Sequence, residues 1–399
     1  MDKNRIAMNE SNVIEIIDLI VFIYFGFVVL YFFVFSLASR LKRKEVKPLK
    51  PSSKKSRIVV LIPAYKEDKV IESTLKAILN QEYPKTKFEV IVISDQMKKE
   101  TEERITALKA GLITVNFENS TKAKALNYAI SELATASFDI VAILDADNIV
   151  NEQFLSQIND AYNRGYKAIQ AHRKAKNIDT EIALLDAASE AYNNAIFRKG
   201  HRAIGLSSGL IGSGMALDFN WFQRNIKLVK SAAEDKELEI LLLKDNIHVE
   251  FLEDVIVLDE KIRNVKAFQK QRRRWLASSI VSFLTAIGDL KFIIKNRNLS
   301  YLDKLFQWGI LPRLFLIFGI PFIAVVMTFK DVESGFKWWI LLFVYMSTFI
   351  IALPKEFNNF NVFRASFQLP KLVFVMLLNL FKLKGASSKF LHTEHHNDE

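Results

Sequence analysis

The chain has 399 residues, half of them hydrophobic, with 32 Phe and a formal net charge of +11. It contains no cysteine, which excludes disulfides and thiolate metal sites. A charge of that size suits nucleic acid, an anionic membrane surface or an anionic substrate, but from Arg40 to Arg57 nine Lys/Arg stand against one acid, Glu45, directly after a hydrophobic run. Membrane topology accounts for that placement, and no nucleic-acid partner is expected.

The run itself, Asp18 to Ala38, has the roughly 20-residue length that crosses a bilayer core. A secretory signal would have a shorter apolar region preceded by positive charge; here Glu10, Glu15 and Asp18 precede it and the basic block follows. The positive-inside rule places residue 40 onward in the cytoplasm and the N-terminus outside, in a cell (inner) membrane protein. Residues 1–39 thus read as an N-terminal transmembrane helix. Residues 40–56 read as a basic linker, extended by its prolines and serines.

Residues 57–265 read as one cytoplasmic α/β domain. Arg57–Pro63 is a β-branched run ended by proline, as expected of a buried parallel strand. A helical pattern over Asp68–Asn80, a strand over Phe88–Ser94 and a third over Gly111–Phe117 follow. Lys122–Ala134 is then a helix and Phe138–Leu144 a strand. Strands alternating with helices predict a doubly wound parallel or mixed sheet, in which ligands gather at the C-terminal strand ends. Asp95 and the pair Asp145/Asp147 fall at such ends.

Beyond the domain, residues 266–300 read as interfacial helices, with the apolar stretch Leu276–Ile294 at the membrane surface. Two spans are expected near Trp308–Phe329 and Phe336–Leu353 within a C-terminal block 301–385, with Pro312 and Pro321 tolerable in a membrane helix. Leu369–Phe381 is apolar but short, interfacial or re-entrant, with a full span as the alternative. Three spans return the tail 386–399 to the cytoplasm, where His395 and His396 read as solvated rather than metallated.

Asp145-Ala-Asp147 puts two carboxylates just past a buried strand, where they repel unless a cation lies between them. Mg²⁺ or Mn²⁺ suits hard oxygen ligands and is readily shared with phosphates; a helix cap is the bland alternative. Tyr65 offers a stacking face for a base, with packing an equal alternative, and Glu67 shares its sheet edge. Lys122 begins a helix, where cation and dipole together favour phosphate. Glu234-Asp235 opens another helix; the dipole favours acids there, and a general base is the functional alternative. Ser207–Gly214 is a small-residue loop that permits close backbone approach. Gln271-Arg-Arg-Arg274-Trp275 is either a membrane-surface patch or a pyrophosphate grip beside an aromatic sugar platform.

In order, Pro-Ala-Tyr-Lys-Glu (63–67), Asp95, Lys-Ala-Lys-Ala-Leu-Asn (122–127), Asp-Ala-Asp (145–147), Glu-Asp (234–235) and Gln-x-x-Arg-Trp (271–275) closely resemble the processive membrane glycosyltransferases of family 2. That group includes cellulose, chitin, hyaluronan and poly-N-acetylglucosamine synthases. The resemblance implies a GT-A fold and an inverting single displacement from a nucleotide-linked (UDP) sugar to a glycan acceptor. It implies nucleotide-sugar contacts from Tyr65, Glu67, Asp95, Lys122, Asp145 and Arg274, and a metal ligand in Asp147. It further implies a catalytic base in Asp235 and acceptor contacts from Gln271 and Trp275. Two stretches depart from the family's wording: Gln-Met-Lys after Asp95, and the loop Gly212-Ser-Gly-Met-Ala216. Three spans leave little to line a wet channel, so a homo-oligomer, an export partner, or a short or lipid-linked product is expected. A single-addition transferase is the alternative within the class. A non-catalytic scaffold is disfavoured by intact Asp147, Asp235 and Arg274.

Overall fold

The computed structural model describes the backbone of residues 2–41 and 51–380, with side chains from Val13 onward. Residues 42–50 of the basic linker, and Phe381 with the tail and its histidines, lie outside the described residues. A long helix α1 (Asp2–Ala38) precedes strands β1 (Ile58–Tyr65), β2 (Phe88–Asp95) and β3 (Gly111–Val115). Helix α2 (Lys122–Glu132) leads to β4 (Ile140–Ile143), β5 (Ile149–Val150) and β6 (Ala168–Ala175). Helix α3 (Glu181–Asn193) runs on into a π-helix, Asn194–Gly200. Then come β7 (Met215–Asp218), α4 (Glu234–Lys244), β8 (Val249–Asp259) and α5 (Val265–Gly288). Helices α6 (Leu299–Gly309), α7 (Arg313–Lys330), α8 (Val332–Ala352) and α9 (Leu369–Leu380) complete the described chain.

The eight strands form one sheet in the order β3-β2-β1-β4-β7-β6-β8-β5. Strands β3, β2, β1 and β4 are parallel, as the β-branched runs predict. The other half is mixed, because β7 enters antiparallel between β4 and β6. Alternation along β1 explains the two-sided burial. Ile58, Val60 and Ile62 pack on one face with Ile71, Leu75 and Ile78. Val59 and Leu61 pack on the other with Leu126, Ala129 and Ile130 of α2. Thr121 caps α2, its hydroxyl accepting from the Lys124 amide, and so aims the first turn with Lys122 at the sheet edge.

Among the described residues, four helical segments are long and apolar enough to cross a membrane: Val13–Ala38, Arg313–Lys330, Val332–Ala352 and Phe360–Leu380. The first three share one core, in which Val28, Phe32, Leu316, Ile320, Trp338 and Tyr345 are buried. Asp18, buried in α1, accepts a hydrogen bond from Trp338 Nε1 at 2.8 Å and pairs with Lys337. A buried carboxylate in an apolar bundle needs such partners. Leu369–Phe381 was expected to be short; helical structure extends back to Phe360, which gives it the length of a span. Its buried residues Leu372, Val375 and Met376 nevertheless pack with Ile182, Ile262 and Phe268 of the α/β domain and α5.

The same three-helix core continues into the α/β domain through Tyr192 and Ile196 of α3 and the π-helix. Gly200 allows this, since a Cβ there would stand 2.5 Å from the Phe35 carbonyl oxygen of α1. Gly200→Ala should therefore lower stability by roughly 1–3 kcal/mol through overpacking. Thermal unfolding of the purified protein in detergent checks this, and an unchanged midpoint would rule out close docking of α1 on the π-helix.

Candidate active site

Strand register assembles the first edge of the site. Tyr65 and Asp95, thirty residues apart, are aligned neighbours at the C-terminal ends of β1 and β2. Each is followed by a left-handed residue, Lys66 (φ 58°) and Gln96 (φ 57°), so both strands turn sharply away just beyond the site residue. Asp95 is buried and its Oδ1 accepts from the Phe117 amide at 3.4 Å.

Asp145 and Asp147 follow β4, and Asp259 ends β8; ligand oxygens of all three lie within 4.8 Å of one another. Asn148, fully buried, ties them together. Its Oδ1 accepts from the Asp145 amide at 3.0 Å and from the Ser213 hydroxyl. Its Nδ2 donates to Asp147 Oδ1 at 3.2 Å and Asp259 Oδ1 at 3.4 Å. The Glu260 amide adds a bond to Asp147 Oδ2 at 3.1 Å. Behind the triad, Asp259 accepts from Lys261 Nζ at 2.6 Å and lies 3.7 Å from Arg173 Nη1. Both cations also hold Glu190. Burial would raise the Glu190 carboxyl, but Arg173 and Lys261 hold it well below the usual carboxylate range. The all-carboxylate donor set fits a hard divalent cation.

On the opposite wall Lys122 contacts the Asp145 carboxylate, donates to the Gly212 carbonyl at 2.8 Å and lies 3.7 Å from Glu234 Oε1. Burial alone would lower the Lys122 pKa; Asp145 and Glu234 more than offset it, and the ammonium is held above its ordinary value. Gly212, at φ +79°, belongs to the small-residue loop, and a Cβ there would stand 3.2 Å from Glu234 Oε1 and 3.8 Å from Asp235 Oδ2. The loop therefore brings backbone against the acidic start of α4 rather than leaving open space. Burial pushes Glu234 up to about 7, with Lys122 opposing and Asp235 adding to the rise. The third wall is α5, where Arg272 pairs with Asp186 and lies 4.2 Å over the Trp275 ring. Among the described residues Gln271 Oε1 is buried without a hydrogen-bond partner.

Tyr65, Glu67, Asp95, Lys122, Asp145, Asp147, Asp235, Gln271, Arg274 and Trp275 all line one cavity of about 490 Å³. Sequence reasoning missed Asp259, Asn148, Arg173 and Lys261. Asp259 had a signal, as a carboxylate ending a β-branched run, and Asn148 directly follows Asp147. The two cations had none, since only the crossover of β6 beside β8 brings Arg173 to Asp259. Arg198, Lys304 and Trp308, which line the same cavity, were likewise not singled out.

Residues 56–278 match the family described as "Glycosyltransferase like family 2". A probable glycosyltransferase of Bacillus subtilis, YdaM, is 27% identical over 337 residues, 76% of each chain. A poly-β-1,6-N-acetyl-D-glucosamine synthase of Staphylococcus aureus is 40% identical over 98 residues, only 24% of this chain and 23% of that protein. Among solved structures, the mannosyltransferase PcManGT of Pyrobaculum calidifontis, in complex with GDP-Man and Mn²⁺, superposes with a TM-score of 0.55 at 18% identity. The superposition covers 85% of this chain and 97% of that one, a likeness of fold.

Glu234 also sets a pH dependence of stability. Its folded pKa is about 7, above the unfolded value of 4.5, so its contribution is complete below pH ~4.5 and is lost as pH rises through 7. Glu234→Gln should match the parent at pH 4.5 and melt several degrees higher at pH 8. Parallel melting curves of the two proteins across that range would refute the assignment.

Proposed function

The chain belongs to the glycosyltransferase-like family 2, and from that premise we propose an inverting, metal-dependent transfer of a sugar from a UDP-linked donor to a growing glycan at the cytoplasmic membrane surface. One observation carries the proposal: a single cavity gathers the carboxylate triad, Lys122, Asp235 and the Gln-x-x-Arg-Trp residues from five separate parts of the chain.

In this reading Tyr65, Glu67 and Asp95 take the nucleoside at the β1/β2 edge, and Lys122 and Arg274 take the diphosphate. Asp145, Asp147 and Asp259 would hold Mg²⁺ or Mn²⁺. When bound, such a cation neutralises charge that develops on the leaving diphosphate. Asp235 accepts the proton of the acceptor hydroxyl as that oxygen bonds to the anomeric carbon and the carbon–phosphate oxygen bond breaks. Arg274 and Lys122 stabilise charge on the departing diphosphate. Gln271 and Trp275 take the acceptor end; the unsatisfied Gln271 Oε1 offers an acceptor for a sugar hydroxyl.

The polysaccharide-synthase character draws support from the short match to the poly-N-acetylglucosamine synthase and from the complete Gln-x-x-Arg-Trp motif. Single addition to a lipid-linked or oligosaccharide acceptor is the second reading. It is favoured by the small membrane bundle, in which α1, α7 and α8 pack directly on one another's side chains. On the same reading the N-terminus lies outside, and Phe360–Leu380 rests on the cytoplasmic surface, because its buried residues pack against the α/β domain and α5.

Asp235→Asn should lower kcat for metal-dependent UDP release by about 10²–10⁴-fold while Mn²⁺–UDP affinity is kept. Near-parental turnover in a radiolabelled-sugar assay would remove Asp235 from the role of base. Topology is equally accessible, since the chain has no cysteine of its own. Single cysteines at Ser11 and Ser52 should label from opposite sides of sealed vesicles, and Ser366 from the side of Ser52. Labelling of Ser366 from the other side would sink the surface placement of the last helix.

A further inference from the structure

The catalytic cavity does not end at Asp235. It continues between the π-helix, α4, α5 and α6, on the side where α6 leads into the apolar helix α7, lined there by Arg198, Lys236, Ser279, Lys304 and Trp308. Most buried cations of this molecule touch a carboxylate: Arg173 and Lys261 touch Glu190, and Lys304 lies 2.9 Å from Glu239. Arg198 and Lys236 are the exceptions along this wall. Arg198 is 6% exposed, and its guanidinium donates to the Gly209 carbonyl at 3.3 Å and to Asn194 Oδ1 at 2.7 Å. No carboxylate among the described residues is in ion-pair contact with it. Lys236 Nζ donates to the Ser279 hydroxyl at 2.6 Å and likewise has no carboxylate in ion-pair contact among the described residues.

Both cations line this one cavity, with the Lys304–Glu239 pair beside them. Arg198 bonds Gly209, and a Cβ on Gly209 would stand 3.1 Å from Lys304 Nζ. Lys304 pairs with Glu239, one helical turn after Lys236 on α4. Burying a cation without a counter-charge is unfavourable. Burial accordingly pushes the Arg198 guanidinium down to about 10 and lowers Lys236, although Asp235 and Glu239 oppose the fall in both. The π-helix that presents Arg198 is a rare geometry, met mostly at functional sites.

We propose that this end of the cavity is an acceptor subsite for an anionic group, a phosphate or carboxylate, held by Arg198 and Lys236 beside the hydroxyl that Asp235 deprotonates. The acceptor is therefore an acidic molecule, either a lipid-linked phosphate or an acidic saccharide. This deepens the transferase reading and rests on it.

The test uses the full chain in nanodiscs, supplied with UDP-sugars and Mn²⁺ and one of three acceptor probes. These are phosphatidylcholine vesicles containing undecaprenyl phosphate, an oligosaccharide of alternating glucuronate and N-acetylglucosamine, and a neutral chito-oligosaccharide. At least one acidic probe should accelerate UDP release more than the neutral one. Stimulation by the lipid phosphate identifies a membrane-borne acceptor, and stimulation by the acidic saccharide a glycan. Arg198→Gln and Lys236→Gln should each raise KM for that probe roughly tenfold to a hundredfold, with Arg198→Lys recovering part of the loss. Mn²⁺–UDP affinity reports that the donor end is intact. Should Arg198→Gln not fold, Lys236→Gln, at a partly exposed position, gives the same reading. Equal stimulation by the neutral probe, or Gln variants that leave the acidic KM unchanged, would overturn the subsite. Absence of UDP release from every UDP-sugar under all conditions would overturn the transferase reading and the subsite together.

Discussion

Clustered like charge is the constraint around which this molecule is built. Asp145, Asp147 and Asp259 converge at the sheet edge with oxygens within 4.8 Å, an arrangement that repels itself unless cations and donors surround it. Three devices answer that repulsion. Lys122 meets the triad from α2, Arg173 and Lys261 meet it from behind through the shared Glu190, and Asn148 bonds two of its carboxylates at once. Each device comes from a different strand end or helix start, so the sheet must close correctly before any of them can act. What remains on the open side is a cradle of carboxylate oxygens that suits a divalent cation and a diphosphate.

The antiparallel entry of β7 follows from the same need. By separating β4 from β6 it carries the loop 207–214 back across the cavity, where Gly212 gives its carbonyl to Lys122 and stands against Glu234 and Asp235. A side chain at Gly212 would press on those carboxylates, and its left-handed backbone suits glycine. The acidic start of α4 is thus held between a cation and a bare backbone segment. That explains why one member of the pair, Glu234, is driven toward neutrality by burial.

The apolar helix bundle packs directly on elements that line the cavity. Helix α1 packs on α8 and on the π-helix, whose Arg198 lines the catalytic cavity, and α6 brings Lys304 and Trp308 to the same wall just ahead of α7. Along that wall two cations, Arg198 and Lys236, have no carboxylate in ion-pair contact among the described residues.

Much of this was legible in the chain itself, for reasons that are local. The β-branched runs 57–63 and 88–94 can bury both faces only as interior parallel strands, and Asp145-Ala-Asp147 sits just past such a run. A roughly 20-residue apolar stretch followed by a basic block reads as a span by length and charge alone. That Asp259 joins Asp145 and Asp147, and that Arg173 supports it, was not legible, because β6 and β8 pair across about eighty residues and no local pattern encodes that register. The last helix, Leu369–Leu380, follows the apolar run, while the helical turns that precede it from Phe360, capped by Asn359, lie outside that run. Local spacing and hydropathy thus determined which residues carry charge to the sheet edge. Only tertiary structure decided which charges face one another, because electrostatic pairing depends on distances of a few ångströms that long-range register alone sets.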